Sequence, residues 1–158
     1  MLSLCEKIVS ILKEKKLTLS CAESCTGGLI AKSITDVSGC SSVFYGGVVA
    51  YDNSVKMNIL GVKDETLSTF GAVSFETARE MALGVKSALK TDIGISTTGI
   101  AGPDGGTPKK PVGTVYIGIA IGDTVSSILL NSPSTFSRDE IRREAVFQIL
   151  SLLKEKLS

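Results

Sequence analysis

Leu4, Ile8 and Leu12, flanked by Cys5, Val9 and Ile11, recur every three or four positions among lysines and glutamates, which predicts an amphipathic helix over residues 2–15. The pattern then shortens. Leu17 to Cys21 reads as a strand, Gly27 to Thr35 as a helix and Val43 to Tyr51 as a buried strand, with Asn53 capping a short helix that stops at Gly61. Ser74 opens a long helix whose inward stripe is Ala78, Met81, Val85 and Leu89, and Asp92 to Thr97 follows as a strand. After a Gly/Pro-rich loop over 99–111, Val115, Ile117, Ile119 and Ile121 alternate with smaller residues, and Val125 to Leu130 forms a second run. The two predict a hairpin turning at Gly122-Asp123. Ser137-Arg138-Asp139-Glu140 has capping-box spacing ahead of a last helix carrying Ile141, Ala145, Ile149 and Leu152. Strands separated by helices predict a three-layer α/β/α sandwich whose sheet is mixed but mostly parallel, the hairpin supplying the antiparallel member. No linker or repeat divides residues 1–158, so one domain is expected.

Composition narrows the function classes. A chain of 158 residues with 43% hydrophobic residues buries a sizeable core without disulfides, and a formal charge of +1 argues against a nucleic-acid-binding face. Residues 1–16 mix charges into their apolar positions, so neither a signal peptide nor a membrane span is expected there, and the chain reads as cytosolic. Cys5, Cys21, Cys25 and Cys40 have no CxxC spacing and no histidine beside them, so they read as buried reduced thiols, and no metal or cofactor is expected.

The absence of histidine constrains the chemistry further. Ser24 sits between a β-type run and a glycine-opened helix, yet a nucleophilic serine needs a base, which here must be Lys, Asp, Glu or Tyr. Ligands of open α/β sheets gather at the carboxyl ends of strands, and three such places stand out. At Ser24-Cys25-Thr26-Gly27-Gly28, amides at a helix start can hold an oxyanion or phosphate, although a plain βα turn has the same spelling. At Tyr51-Asp52-Asn53-Ser54-Val55-Lys56, a lysine in the first turn of a helix is either solvated or, if it faces a cleft, driven toward the neutral form by burial and the helix dipole. At Thr97-Thr98-Gly99 and onward to Gly106, the glycine density suits close backbone approach to a ligand, with Thr98 offering a hydroxyl and Asp104 a turn. Arg138 and Arg142 share a helix face, either compensated by Asp139 and Glu140 or available to a phosphate. Ser87-Ala88-Leu89-Lys90 satisfies S-x-x-K but ends an amphipathic helix, without the partner motifs of penicillin-binding enzymes.

Ala22 to Gly28, the Tyr-x-Asn-x-x-Lys of Tyr51 to Lys56, Gly71-Ala72-Val73-Ser74, and Gly99 to Gly106 through Lys110-Pro111-Val112-Gly113-Thr114-Val115 together resemble the C-terminal domain of the CinA family over nearly the whole chain. Stand-alone members of that family are nicotinamide-nucleotide amidohydrolases. The resemblance implies hydrolysis of the carboxamide of nicotinamide mononucleotide to nicotinate mononucleotide and ammonia, with Ser24 as nucleophile, Lys56 as general base, and Tyr51 and Thr98 as supporting hydroxyls. It further implies a substrate contact from an arginine of the last helix, assigned to Arg142 with Arg138 as the second candidate, and the turn and loop positions of Thr26, Gly27, Gly28 and Gly99 make them expected substrate contacts as well. A homo-oligomer is expected from apolar strand and helix surface. A non-catalytic nucleotide-binding module and an amidohydrolase for another small amide are the alternatives; the joint presence of Ser24, Tyr51 and Lys56 favours an enzyme.

Overall fold

The computed structural model describes residues 1–133 and 135–158. Five strands, β1 (Leu19–Glu23), β2 (Phe44–Val49), β3 (Ile93–Gly99), β4 (Thr114–Ile121) and β5 (Thr124–Asn131), form one sheet in the order β2-β1-β3-β4-β5. β1 runs parallel to both β2 and β3, whereas β4 is antiparallel to β3 and β5. Four strands therefore point one way and only β4 opposes them, the mixed, mostly parallel sheet that the pattern predicts. The β4–β5 turn falls at Gly122, whose φ of +55° suits a tight hairpin.

Among the described residues, six α-helices and one short 3₁₀ helix (Cys40–Ser42) join the strands: α1 (Leu2–Lys15), α2 (Leu29–Thr35), α3 (Asn53–Leu60), α4 (Asp64–Phe70), α5 (Phe75–Leu89) and α6 (Arg138–Leu157). α1, α2 and α6 cover one face, where Ile8, Leu12, Ile30, Ile34, Ile141 and Ile149 pack on Leu19, Ile95 and Ile117. The other face is spanned by α5, whose Met81 and Val85 meet Ala22 and Ala50, with Leu60 of α3 and Val62 beside them. Both faces are closed, so β1 and β3 are buried along their length apart from the half-buried Gly99.

Small residues let α5 lie close. A Cβ placed on Gly94 or Gly118 of the sheet would fall 2.1 Å and 2.3 Å from the carbonyl oxygens of Ala82 and Ala78, and Ser96 Oγ donates to the Ala78 carbonyl at 2.6 Å. On the outer side of α5, a Cβ on Gly84 would sit 1.9 Å from the Leu60 carbonyl oxygen. Helix propensity alone would make Gly84→Ala stabilising by about 1 kcal/mol. Because backbone rather than a flexible side chain blocks the site, the variant is expected to lose about 2 kcal/mol instead, read as a lower urea midpoint at unchanged slope.

Several boundaries differ from the sequence expectation for local reasons. β1 starts two residues late because the Leu17 amide closes α1 on the Leu12 carbonyl, while Thr18 donates through its amide and its hydroxyl to Asp92. β2, expected to be buried, is an edge strand with Tyr45 and Val49 exposed. α2 starts at Leu29 rather than Gly27, since Gly27 and Gly28 take φ of +59° and +98° and form a turn. Asp52 caps α3, not Asn53: its Oδ1 accepts from the Ser54 amide at 2.8 Å. α4 was not anticipated; its start is fixed from outside, by Glu80 of α5, which accepts from the Lys63 amide and the Thr66 hydroxyl. Leu89 is only half-buried, and Leu153 takes the core position expected of Leu152.

Candidate active site

The carboxyl ends of β1, β2 and β3 open onto a cleft of about 290 Å³. Ser24, Cys25, Tyr51, Lys56, Thr98 and Gly99 line it, together with Arg138 from the start of α6. The three strand ends singled out in the sequence thus converge, but the residues at each do different things.

Ser24 follows the last residue of β1, is 9% exposed, and has its amide fixed on the Thr97 carbonyl at 2.9 Å. Its hydroxyl has no protein partner among the described residues. Beneath it lies Glu23, 1% exposed, whose carboxylate accepts from Thr26 Oγ1 at 2.6 Å and from the amides of Gly28, Ile30 and Ala31 at 3.1, 3.0 and 2.9 Å. The positive end of α2 is therefore occupied by an internal anion. This corrects the expectation that Gly27 and Gly28 offer their amides to a substrate: the Gly28 amide is spent on Glu23, and that of Gly27 on the Ser24 carbonyl. Thr26 is fully buried with its hydroxyl between Glu23 and Thr97. Thr26, Gly27 and Gly28 all stay off the cleft wall. Cys25 is buried packing, its thiol pushed up to about 12 chiefly by desolvation, so it remains protonated.

Lys56, in the first turn of α3, is 1% exposed. Its Nζ donates to the Ala50 carbonyl at 2.8 Å and to the Tyr51 carbonyl at 3.3 Å. Desolvation lowers its pKa from the usual 10.5, against the opposing pull of Asp52 and Cys25. A neutral amine has two hydrogens and one lone pair; with both hydrogens given to carbonyls, the lone pair is free to accept a proton. Lys56 thus combines burial with the hydrogen bonding of a base.

Tyr51 is 61% exposed, and its hydroxyl accepts from Arg138 Nη2 at 2.9 Å, so it reaches Lys56 through its carbonyl rather than its phenol. Arg138 Nη1 donates to the Gly102 carbonyl at 2.6 Å, which ties the glycine-rich loop to α6. Thr98 gives its proton to the Ala72 carbonyl at 2.6 Å and can only accept from the cleft. Lys110 donates to the carbonyls of Phe70 and Val73 at 3.0 and 2.5 Å, pinning the α4–α5 junction over the site. Arg142 is not in the cleft: its Nη2 donates to the Thr26 carbonyl at 2.7 Å, bracing the Ser24 turn from outside. The acidic neighbours do not neutralise Arg138, because Asp139 pairs with Arg143 and Glu140 closes the capping box with Ser137. Sequence reasoning missed Glu23, whose only signal is an acidic residue ending an apolar strand just before a helix. It also missed Asn53, Ala72 and Val73 as cleft lining. Among the described residues no cluster of three or more His, Cys, Asp or Glu is placed to hold a metal, and no helix is long and apolar enough to cross a membrane.

Three α/β/α layers around a mixed sheet with a cleft at its carboxyl end define an open α/β sandwich, the class in which ligands gather at strand ends. More narrowly, the family model of the CinA C-terminal domain matches residues 1–157, and the chain belongs to that family. It is 50% identical over 155 residues to a CinA-like protein of Kosmotoga olearia, covering 98% of this chain, and 64% identical over 114 residues to a CinA-like protein of Leptospira borgpetersenii, covering 72% of it. The chain spans only 37% and 27% of the length of those two relatives. Among solved structures it is similar to the competence/damage inducible protein CihA from Agrobacterium tumefaciens, with a TM-score of 0.94 at 40% identity over 98% of this chain and 93% of that one.

Proposed function

We propose that this protein hydrolyses the carboxamide of nicotinamide mononucleotide, giving nicotinate mononucleotide and ammonia by a serine/lysine mechanism. The observation that carries the reading is Lys56: a buried amine with two carbonyl acceptors, lining the same cleft as an unpartnered serine hydroxyl in a chain without histidine. Lys56 Nζ takes the Ser24 proton as Oγ bonds to the carboxamide carbon. The oxyanion is stabilised from the backbone of the Ser24 turn, of which Cys25 lines the cleft. Collapse breaks the C–N bond, and Lys56 returns its proton to the leaving amine, which departs as ammonia. Water then attacks the acyl-enzyme, giving one proton to Lys56, which passes it to Ser24 Oγ as the acyl C–O bond breaks and nicotinate mononucleotide leaves. The pyridinium disfavours the ammonium form of Lys56 by like-charge repulsion, which keeps the base neutral.

Arg138 suits the phosphate, since it lines the cleft and has no carboxylate within 4.0 Å among the described residues. Ammonia release measured across nicotinamide mononucleotide, nicotinamide riboside and simple amides tests the reading. The mononucleotide is expected to be preferred, and Arg138→Ala to raise its KM by about tenfold or more with kcat within about threefold, the signature of lost binding. On the riboside, which has no phosphate, the same substitution is expected to change little. A protein that releases ammonia from none of these, or equally from all, contradicts the proposal.

A further inference from the structure

Resting on nicotinamide mononucleotide as the substrate proposed above, we propose that Asp104 is a substrate-binding residue whose carboxylate accepts the 2′ and 3′ hydroxyls of the ribose and so makes the site selective for a ribonucleotide. Asp104 lines the cleft from the glycine-rich loop. Its sequence context assigns it to a turn, yet its carboxylate accepts no hydrogen bond and forms no ion pair among the described residues. The loop is shaped without it. Gly102 and Gly105 take φ of +76° and +88°, and Arg138 Nη1 holds the Gly102 carbonyl at 2.6 Å. Beyond them the Thr107 amide donates to the Lys110 carbonyl at 2.8 Å and the Lys110 amide to Thr107 Oγ1 at 3.0 Å, while Lys110 Nζ anchors this turn on the carbonyls of Phe70 and Val73. What remains for the Asp104 carboxylate is the cleft.

The other side chains of the cleft decide which ligand group it meets. A phosphate is repelled by a carboxylate and belongs to Arg138, which has no carboxylate within 4.0 Å among the described residues. A ribose diol offers two hydrogens and asks for two acceptor atoms. Asp104 alone among the cleft side chains has two acceptor oxygens and no donor: Thr98 and Tyr51 have one oxygen each, and Asn53 carries an NH₂ group beside its single oxygen. Hydroxyls given to a carboxylate form charge-assisted hydrogen bonds, the stronger kind. Position agrees with this chemistry. Asp104 lies two residues from Gly102, so their Cα atoms are at most about 7 Å apart, and Gly102 is the residue that Arg138 grips. Asp104 therefore belongs to the phosphate end of the cleft rather than to the Ser24 and Lys56 end. The ribose joins the phosphate to the pyridinium ring, which brings its hydroxyls past this wall.

The test is calorimetric and needs no turnover. Ribose 5-phosphate, which has the diol and the phosphate but no amide, is compared with 2-deoxyribose 5-phosphate on wild type and on Asp104→Ala. Nicotinamide mononucleotide is compared with 1-methylnicotinamide, which keeps the pyridinium charge and lacks the ribose, on Ser24→Ala and on Ser24→Ala/Asp104→Ala. Wild type is expected to bind ribose 5-phosphate about fivefold more tightly than the deoxy sugar. Asp104→Ala is expected to weaken ribose 5-phosphate and the mononucleotide by about tenfold, to bring the preference between the sugars within about twofold, and to change 1-methylnicotinamide by less than about twofold. Asp104→Asn, which keeps one acceptor oxygen, is expected to weaken the mononucleotide by about threefold. Urea unfolding should show an unchanged midpoint, because the carboxylate supports no other group of the loop. Equal binding of the two sugars by wild type, a result that needs no variant, overturns the inference. So does an Asp104→Ala protein that weakens both sugars alike, or that weakens 1-methylnicotinamide as much as the mononucleotide, since the carboxylate then acts through charge alone. Ammonia released from no amide, together with an Asp104-dependent preference for ribose 5-phosphate, overturns the substrate and leaves the ribose site. Ammonia released from the mononucleotide without that preference overturns the ribose site and leaves the substrate.

Discussion

Ser24→Ala is expected to lower ammonia release from nicotinamide mononucleotide by a factor on the order of 10⁴, the scale set by removal of a nucleophile from a working serine site. The size of the effect follows from the cleft. Its other hydroxyls are already engaged, Thr98 on the Ala72 carbonyl and Tyr51 on Arg138, and the buried Cys25 thiol is held protonated. None of them replaces Ser24. Substrate affinity, measured by calorimetry on the inactive protein, is expected to stay within about threefold, because the alanine removes an atom that bonds covalently rather than one that anchors the phosphate. Stability should also stay within about 0.5 kcal/mol, since Ser24 Oγ has no protein hydrogen bond among the described residues and leaves no partner stranded. The alanine variant turning over at the wild-type rate would remove Ser24 from the chemistry.

The sequence carried the architecture wherever one period held over a full element. The α5 stripe through Ala78, Met81 and Val85, the β4–β5 hairpin and the Ser137 capping box appear as read, whereas Leu89 at the end of the stripe is only half-buried and β4 is buried on both faces. Burial that depends on neighbours was not legible. β2 has the composition of a central strand, but its place at the sheet edge comes from topology, and α4 begins where it does because Glu80 of another helix accepts from Lys63 and Thr66. The candidate site divides the same way. Ser24, Tyr51, Lys56 and Thr98 could be proposed because each ends or follows a strand, and the fold brings them to one cleft. Arg138 and Arg142, four residues apart, could not be told apart by spacing. They separate only in three dimensions, where one guanidinium reaches the glycine-rich loop and the other reaches the outside of the Ser24 turn. Glu23 was invisible because a buried carboxylate is legible only once its donors are found.

Lys56→Met is expected to lower kcat by about 10³-fold, within the range for loss of a general base, with KM within about threefold. The wild-type rate should climb with pH as Lys56 loses its proton and level off above that point; burial puts the climb below the 10.5 of a free lysine. The same burial fixes the sign of a stability effect. Between the lowered folded value and 10.5 the unfolded chain holds a proton on Lys56 that the folded chain has released, so stability rises with pH through that window. Other groups act elsewhere. Asp52, Asp92 and Glu140 have folded values lowered by hydrogen bonds from Ser54, Thr18 and Ser137, so their contribution is lost only as pH falls through the acid range. Cys5, Cys21 and Cys25 are raised above 9.0, mainly by burial, so they reduce stability as pH rises beyond that value. The difference between wild type and Lys56→Met cancels the groups that do not interact with the lysine and leaves Lys56 together with its neighbours Asp52 and Cys25. At pH 7 the methionine variant is expected to be more stable by about 1 kcal/mol, because an apolar chain of similar length replaces an amine whose charged form burial penalises, and this advantage should shrink as pH approaches 10.5. Urea unfolding at several pH values reads the trend. A variant that is both inactive and uniformly less stable would assign Lys56 a structural role, whereas lost turnover with gained stability is what a base whose pKa is lowered by burial requires.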